Sequence, residues 1–94
     1  MENLTFGDAL IALKDGKKVA RTGWNGKGMF IFRQKRYPEG IAANKNTAEA
    51  LGVKKGTQIK VTPYLMMKAA DGTLITGWLA SQTDILAEDW TILN

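Results

Sequence analysis

Phe6, Ala9, Leu10 and Leu13 recur at the spacing of one face of a helix. Thr5 stands where the N-cap of that helix belongs, and Asp8, three residues on, supplies a variant of the capping box. Asp15-Gly16 closes the pattern, glycine serving as the left-handed stop. Lys17 and Lys18 follow at the negative end of the helix dipole. The period then shortens. Residues 19–21 (Val-Ala-Arg) read as a short strand, and residues 29–34 (Met-Phe-Ile-Phe-Arg-Gln) have strong β character. Between them lie three glycines in six residues, Gly23, Gly26 and Gly28. The two strands are expected to form a hairpin with Trp24 near its tip.

The stretch from 35 to 55 is the most polar of the chain, with Lys35, Arg36, Lys45, Lys54 and Lys55, and reads as an excursion from the sheet. Tyr37-Pro38-Glu39-Gly40 is a turn, and Asn46 is placed to cap a short helix running to Leu51 and stopped by Gly52. Residues 58–61 give a short strand, which Pro63 confines to an edge or a break. Residues 64–69 (Tyr-Leu-Met-Met-Lys-Ala) are the best candidate for a buried strand, and Asp71-Gly72 turns the chain so that 73–76 pair back. Ser81 or Thr83 caps a short helical turn reaching Ala87, and residues 89–93 close the chain as a last strand. The sum is an α+β domain spanning 1–94: an N-terminal helix packed on a mostly antiparallel sheet with short helical excursions.

Composition narrows the chemistry. The 94 residues are room for one core, 45% of them hydrophobic and 23% charged. Cysteine is absent, which removes disulfides, thiolate metal sites and thiol nucleophiles. Histidine is absent too, and with it the commonest general base near neutral pH and the Ser-His and Cys-His devices. Thirteen basic residues against nine acidic ones give a net charge of +4, which solubility alone accounts for and which also suits an anionic partner. No apolar run approaches the roughly 20 residues of a membrane span, and the first residues lack the basic and apolar regions of a signal peptide.

Two segments stand out. Trp24 sits among glycines beside Asn25, Gly26 and Lys27, three residues after Arg21. Either its indole folds back onto the core, or it offers a flat face to a base or sugar while Asn25 and backbone N–H groups read polar atoms. Trp78 is followed by Ser81, Gln82, Thr83 and Asp84. Helix capping accounts for part of that run, and backbone N–H groups at a helix start also suit phosphate. Trp90, next to Asp89 on the last strand, reads as core, as do Met29, Met66 and Met67. Met29 and Phe30 point to opposite faces of their strand, so one of them at most lines a pocket. There is no Walker loop, no GxGxxG opening a long helix, and no carboxylate pair placed for acid–base work.

Taken in order, Thr-Phe-Gly-Asp-Ala-Leu (5–10), Gly-Lys-Lys-Val-Ala-Arg-Thr-Gly-Trp-Asn-Gly-Lys (16–27), Pro-Tyr-Leu-Met-Met-Lys (63–68), Asp71-Gly72, Gly-Trp-Leu-Ala-Ser-Gln-Thr-Asp (77–84) and Glu-Asp-Trp (88–90) resemble a phage and prophage family whose characterised members are the second type of Thoeris anti-defence protein. The likeness runs nearly the whole chain and is weakest over 35–60. It implies a protein of the infected bacterium's cytoplasm that binds a cyclised ADP-ribose immune signal tightly without cleaving it, needs no cofactor, and assembles as a homotetramer with pockets built from more than one subunit. Cyclic di- or trinucleotides of other defence systems are the alternative ligands. On that footing Trp24 and Trp78 stack on the ligand, Asn25, Ser81, Gln82 and Thr83 read ribose or base edges, and Arg21 or Lys27 meets the pyrophosphate. Asp84 suits ribose hydroxyls and repels phosphate. Gly26 and Met29 complete the candidate set. A small hydrolase, a nucleic-acid-binding module and a virion subunit are the competing classes.

Overall fold

A computed structural model describes residues 2–24, 26–35 and 39–93. Helix α1 (Phe6–Lys14) begins as its sequence dictates. Thr5 Oγ1 accepts from the Asp8 N–H at 3.2 Å, and the Thr5 N–H donates to Asp8 Oδ2 at 3.1 Å, closing the capping box. The helix stops at Asp15, and Gly16 takes a φ of +86° with open space around it, a conformation glycine adopts freely. Its buried residues, Ala9, Ala12 and Leu13, lie against the main sheet.

That sheet has five strands in the order β6-β5-β2-β1-β7: β1 (Lys18–Arg21), β2 (Phe30–Gln34), β5 (Tyr64–Lys68), β6 (Leu74–Thr76) and β7 (Trp90–Leu93). Every neighbouring pair is antiparallel. Register aligns Ile92, Val19, Ile31, Met67 and Ile75 in one row across it. Residues aligned across an antiparallel sheet share a face, and the helix covers this one. Val19, Ile31, Leu13 and Trp90 are fully buried there, each contributing about 1.5–3 kcal/mol of apolar transfer energy. Alternation sends Lys18, Phe30, Phe32, Met66 and Lys68 to the opposite face, against which none of the helices packs.

The excursion from the sheet holds β3 (Ile41–Ala42), α2 (Lys45–Leu51) and β4 (Gln58–Ile59), with β3 and β4 paired to each other as a separate ribbon. The cap of α2 is Asn44, not Asn46: Asn44 is extended and its Oδ1 accepts from the Thr47 N–H at 2.8 Å. Starting two residues earlier lets the helix bury Ala48. Strand β4 is also shorter than the expected 58–61, since it follows only the two residues that β3 offers. The expected turn at Tyr37-Pro38 falls outside the described residues. The Cα radius of gyration is 15.7 Å, against about 12 Å for a compact chain of this length, as expected for a body carrying an arm. No helix among the described residues is long and apolar enough to cross a membrane.

Candidate functional site

Strands β1 and β7 run side by side with Arg21 opposite Trp90, so both side chains stand on the helix-covered face at one end of the sheet. Trp90 is the centre of an aromatic cluster. Its ring lies 5.5 Å from Phe6, 5.4 Å from Trp24 and 6.4 Å from Trp78, and Trp24 and Trp78 are 6.3 Å apart. The three tryptophans meet edge to face, the arrangement favoured by the ring quadrupole. Trp90 is completely buried, whereas Trp24 and Trp78 are half-buried against the core.

Trp24 thus packs against the core while part of its surface stays exposed: a Gly-rich loop does deliver a tryptophan to the core. The loop is drawn in by its backbone. The Thr22 N–H donates to the Asp89 carbonyl at 3.0 Å, and the Trp24 N–H to the Arg21 carbonyl at 3.2 Å. Two glycines make the approach possible. A Cβ on Gly23 would lie 2.7 Å from Asp89 Oδ2, and one on Gly26 would lie 2.5 Å from Met29 Sδ and 2.9 Å from the Ala70 Cβ.

A polar clip locks the cluster. Arg21 Nη1 donates to Asp84 Oδ1 at 2.9 Å, and Arg21 Nε to Asp89 Oδ1 at 2.8 Å. Trp24 Nε1 donates to the same Asp84 oxygen at 3.3 Å, and Trp90 Nε1 to the Asp84 carbonyl at 3.0 Å. Asp89 Oδ2 accepts the Gly23 N–H at 2.8 Å. Helix α3 (Gln82–Leu86) presents Asp84 because Ser81 caps it: Ser81 Oγ accepts from the Asp84 N–H at 3.1 Å and donates to Asp84 Oδ2 at 2.9 Å. Burial alone would push the Asp84 carboxyl up, but hydrogen bonds from Arg21, Ser81 and Trp24 hold it below the ordinary range. Asp89 is also lowered, chiefly by Arg21, and Arg21 is raised by Asp89 and Asp84.

The candidate residues thus divide. Arg21, Trp24, Trp78, Ser81 and Asp84 come together. Arg21 and Asp84 are turned inward on each other, with side chains only 15% and 13% exposed, so the guanidinium expected at a pyrophosphate is held by two carboxylates instead. The start of α3, expected to suit phosphate, also carries the Asp84 carboxylate, hydrogen-bonded to the Ser81 N–H at 3.2 Å. Lys27, Gln82 and Thr83 are exposed, Gly26 and Met29 are half-buried beside one another, and Asn25 lies outside the described residues. Asp89 joins Arg21, although the sequence marks it only as a neighbour of a core tryptophan. Its pairing with Arg21 spans 68 residues of sequence, and no local spacing announces such a contact.

Two concavities lie elsewhere. A groove of about 490 Å³ runs between α1 and β7, lined by Leu4, Ile11, Ala12 and Ile92 with Asp8, Lys14, Asp15 and Lys17. A smaller one, about 180 Å³, is lined by Leu10, Leu13, Lys14, Arg33, Pro63, Tyr64 and Leu65. Neither includes a tryptophan. The larger has ligand-like volume, but its charges are balanced and it has no ring to stack on, so the tryptophan cluster remains the better candidate for recognising a nucleotide. No group of His, Cys, Asp and Glu side chains among the described residues is placed to hold a metal ion.

The family model described as the Thoeris anti-defense 2-like domain covers residues 4–93. The chain is also 38% identical over 94 residues to Thoeris anti-defense 2 of Bacillus phage SP01, with 97% of this chain and 96% of the relative aligned.

Proposed function

This chain belongs to the Thoeris anti-defense 2-like family, and from that premise we propose that it works as a non-enzymatic sponge, holding a cyclic nucleotide immune signal of the cyclised ADP-ribose type so that the host's effector is not activated. The anti-defence role comes with the family.

The observation that carries the reading is the half-buried pair Trp24 and Trp78, fixed edge to face over Trp90 and tied to Asp84 and Arg21. A sponge gains affinity when its contact surface is rigid before the ligand arrives, because little freedom is then lost on binding. The indoles supply the stacking surface, and exposed Ser81, Gln82 and Thr83 follow Trp78 to meet ribose or base edges. Arg21 orders the loop, which leaves Lys27 as its exposed cation toward the pyrophosphate. Asp84 is ionised at neutral pH and already accepts from four donor groups, an unsuitable state for a general acid. With His and Cys absent as well, holding the ligand fits these residues better than cleaving it. A pocket completed by another copy in a homo-oligomer, a tetramer on the family pattern, belongs to the same reading.

The test is calorimetric titration of the protein with a cyclised ADP-ribose, followed by heating of the complex and chromatography of the released ligand. Saturable binding with the ligand recovered unchanged is expected. A cleaved product, or no heat of binding, would refute the sponge. Cyclic di- and trinucleotides belong in the same titration as the alternative ligands.

One observation favours a second reading, a nucleic-acid-binding module. On the sheet face that no helix covers, the Lys18 and Lys68 ammonium groups lie 5.0 and 5.6 Å from the centre of the Phe30 ring, with Phe32 6.2 Å from it. Aromatic rings among cations are how single strands are held without sequence preference. Binding of a single-stranded oligonucleotide that weakens steeply with salt would support this reading, and absence of binding at low salt would remove it.

A further inference from the structure

Among the described residues, Arg33 Nε is the buried side-chain donor that meets no acceptor. Native interiors rarely leave such a group, and each one calls for a physical reason. Arg33 lies two residues beyond Ile31 on β2 and opposite Leu65 on β5, so its side chain stands on the helix-covered face. Its Nη2 donates to the Lys14 carbonyl at 3.1 Å, at the end of α1. That bond ties the helix to the sheet, but a guanidinium has five N–H donors to place. No carboxylate among the described residues lies within ion-pair distance of Arg33 or of Lys14. Arg21, by contrast, is held by two.

Both cations border the smaller concavity, about 180 Å³, where Leu10, Leu13, Pro63 and Leu65 supply an apolar lining beside Tyr64. We propose that this pocket binds a small organic monocarboxylate with an apolar body, its charge at Arg33 and Lys14 and its carbon body against the leucines. A half-buried guanidinium without a counter-charge is costly. A carboxylate supplies both the charge and the acceptor, and such charge-assisted bonds are the strong ones. The volume falls below the roughly 300–1,000 Å³ of a drug-sized site, which suits an anion of benzoate size and excludes a cyclic nucleotide. The apolar lining selects against inorganic phosphate, which would give up hydration wherever a leucine stands.

The carbonyl end of α1 does not oppose an anion here. Its last carbonyls are all taken: Ile11 and Ala12 by the Asp15 N–H, Leu13 by the Gly16 N–H, and Lys14 by Arg33. The nearby Asp15 carboxylate is paired with Lys17 at 3.6 Å and lines the other groove. The pocket lies at this end of the helix, whereas the tryptophan cluster meets Phe6 at its start. It is therefore a second binding function, beyond the sponge reading and independent of it.

The test is heteronuclear NMR of the full chain, following the Arg33 Nε–H and Tyr64 amide resonances during titration with benzoate, acetate, phosphate and the neutral analogue benzamide. Benzoate is expected to shift both saturably, at lower concentration than acetate or phosphate, and benzamide to leave them unmoved. Arg33→Gln should weaken benzoate binding, read at Tyr64, by at least about tenfold, the worth of one hydrogen bond to a charged group. Lys14→Gln, at an exposed helix position, is the second variant should Arg33→Gln fail to fold, and is expected to weaken benzoate severalfold. No saturable shift with benzoate, benzamide or phosphate binding as tightly, or undiminished benzoate binding in a folded variant would overturn the assignment. Calorimetry with the cyclised ADP-ribose on the same proteins separates this pocket from the sponge. Arg33→Gln is expected to keep the nucleotide while losing benzoate, and loss of both together would overturn the separate site. A wild type that binds benzoate and no nucleotide removes the sponge alone.

Discussion

Arg21 and Asp84 are 63 positions apart in the chain, yet Arg21 Nη1 lies 2.9 Å from Asp84 Oδ1. The contact joins the end of β1 to α3. Trp24 Nε1 reaches the same carboxylate oxygen, so the indole is held where the sheet and the helix meet. Asp84→Asn keeps the shape and loses the charge. A hydrogen bond to a charged group is worth about 1.5–3 kcal/mol, and a urea midpoint corresponding to that loss is expected. Affinity for the proposed cyclic nucleotide ligand should fall with it, because Trp24 loses its anchor. An Asp84→Asn protein that unfolds at the wild-type midpoint would show that the clip does not stabilise the fold.

Acid should loosen the site. Asp84 and Asp89 both titrate below their ordinary range in the folded protein. A carboxyl whose folded pKa is depressed contributes stability that is fully present above its unfolded pKa, roughly 3.9, and is lost as pH falls toward the folded value. Urea midpoints should therefore be insensitive to these two groups at neutral pH and should decline below about pH 4. The double variant Asp84→Asn, Asp89→Asn should be less stable at pH 7 and show a shallower acid decline. An unchanged decline would place the acid sensitivity in other carboxylates.

Trp90 and Trp78 should separate stability from binding. Trp90 is completely buried at the hub of the cluster, and replacing such a residue by alanine costs about 3–5 kcal/mol. A small domain has only about 5–15 kcal/mol in total. Trp90→Ala is thus expected to be marginally folded by circular dichroism. Trp78→Ala, at a half-buried position, should remain folded and lose affinity in the calorimetric titration. Full affinity in a folded Trp78→Ala protein would remove that indole from the site.

Gly23→Ala tests how closely the loop must approach. The added Cβ would sit 2.7 Å from Asp89 Oδ2, the atom that accepts the Gly23 N–H. The carboxylate has to move, and Arg21 loses alignment with it; overpacking of this kind typically costs about 1–3 kcal/mol. In a double-mutant cycle with Asp89→Asn the two losses should be strongly non-additive, since both act through one contact. Additive losses in unfolding free energy would mean that Gly23 matters for some other reason.

The fold was legible where local chemistry decides it. Thr5 and Asp8 cap a helix whatever lies around them, and Asp71-Gly72 makes a turn that places Leu74 opposite Lys68. Asn44 and Asn46 show where that ends. Both are good caps two residues apart, and burial of Ala48 chooses between them. The candidate site was legible as a set of segments but not as an arrangement. Trp24 looked like a tip residue because Gly23 and Gly26 flank it, and the same glycines let it pack inward. Arg21 looked available to a phosphate because Asp84 and Asp89 lie more than 60 positions further along.

Gln34 stands directly opposite Tyr64 in the ladder between β2 and β5. Everything between them is, topologically, one long hairpin loop, and the sheet would close just as well around a two-residue turn. Loop length is a weak term in stability, about 0.6 kcal/mol for each doubling. The arm is therefore a place where the chain tolerates insertion, deletion or wholesale exchange. Exchanging one arm for another would give the protein a new outer surface, while the tryptophan cluster and its clip, built from the other end of the sheet, stay as they are.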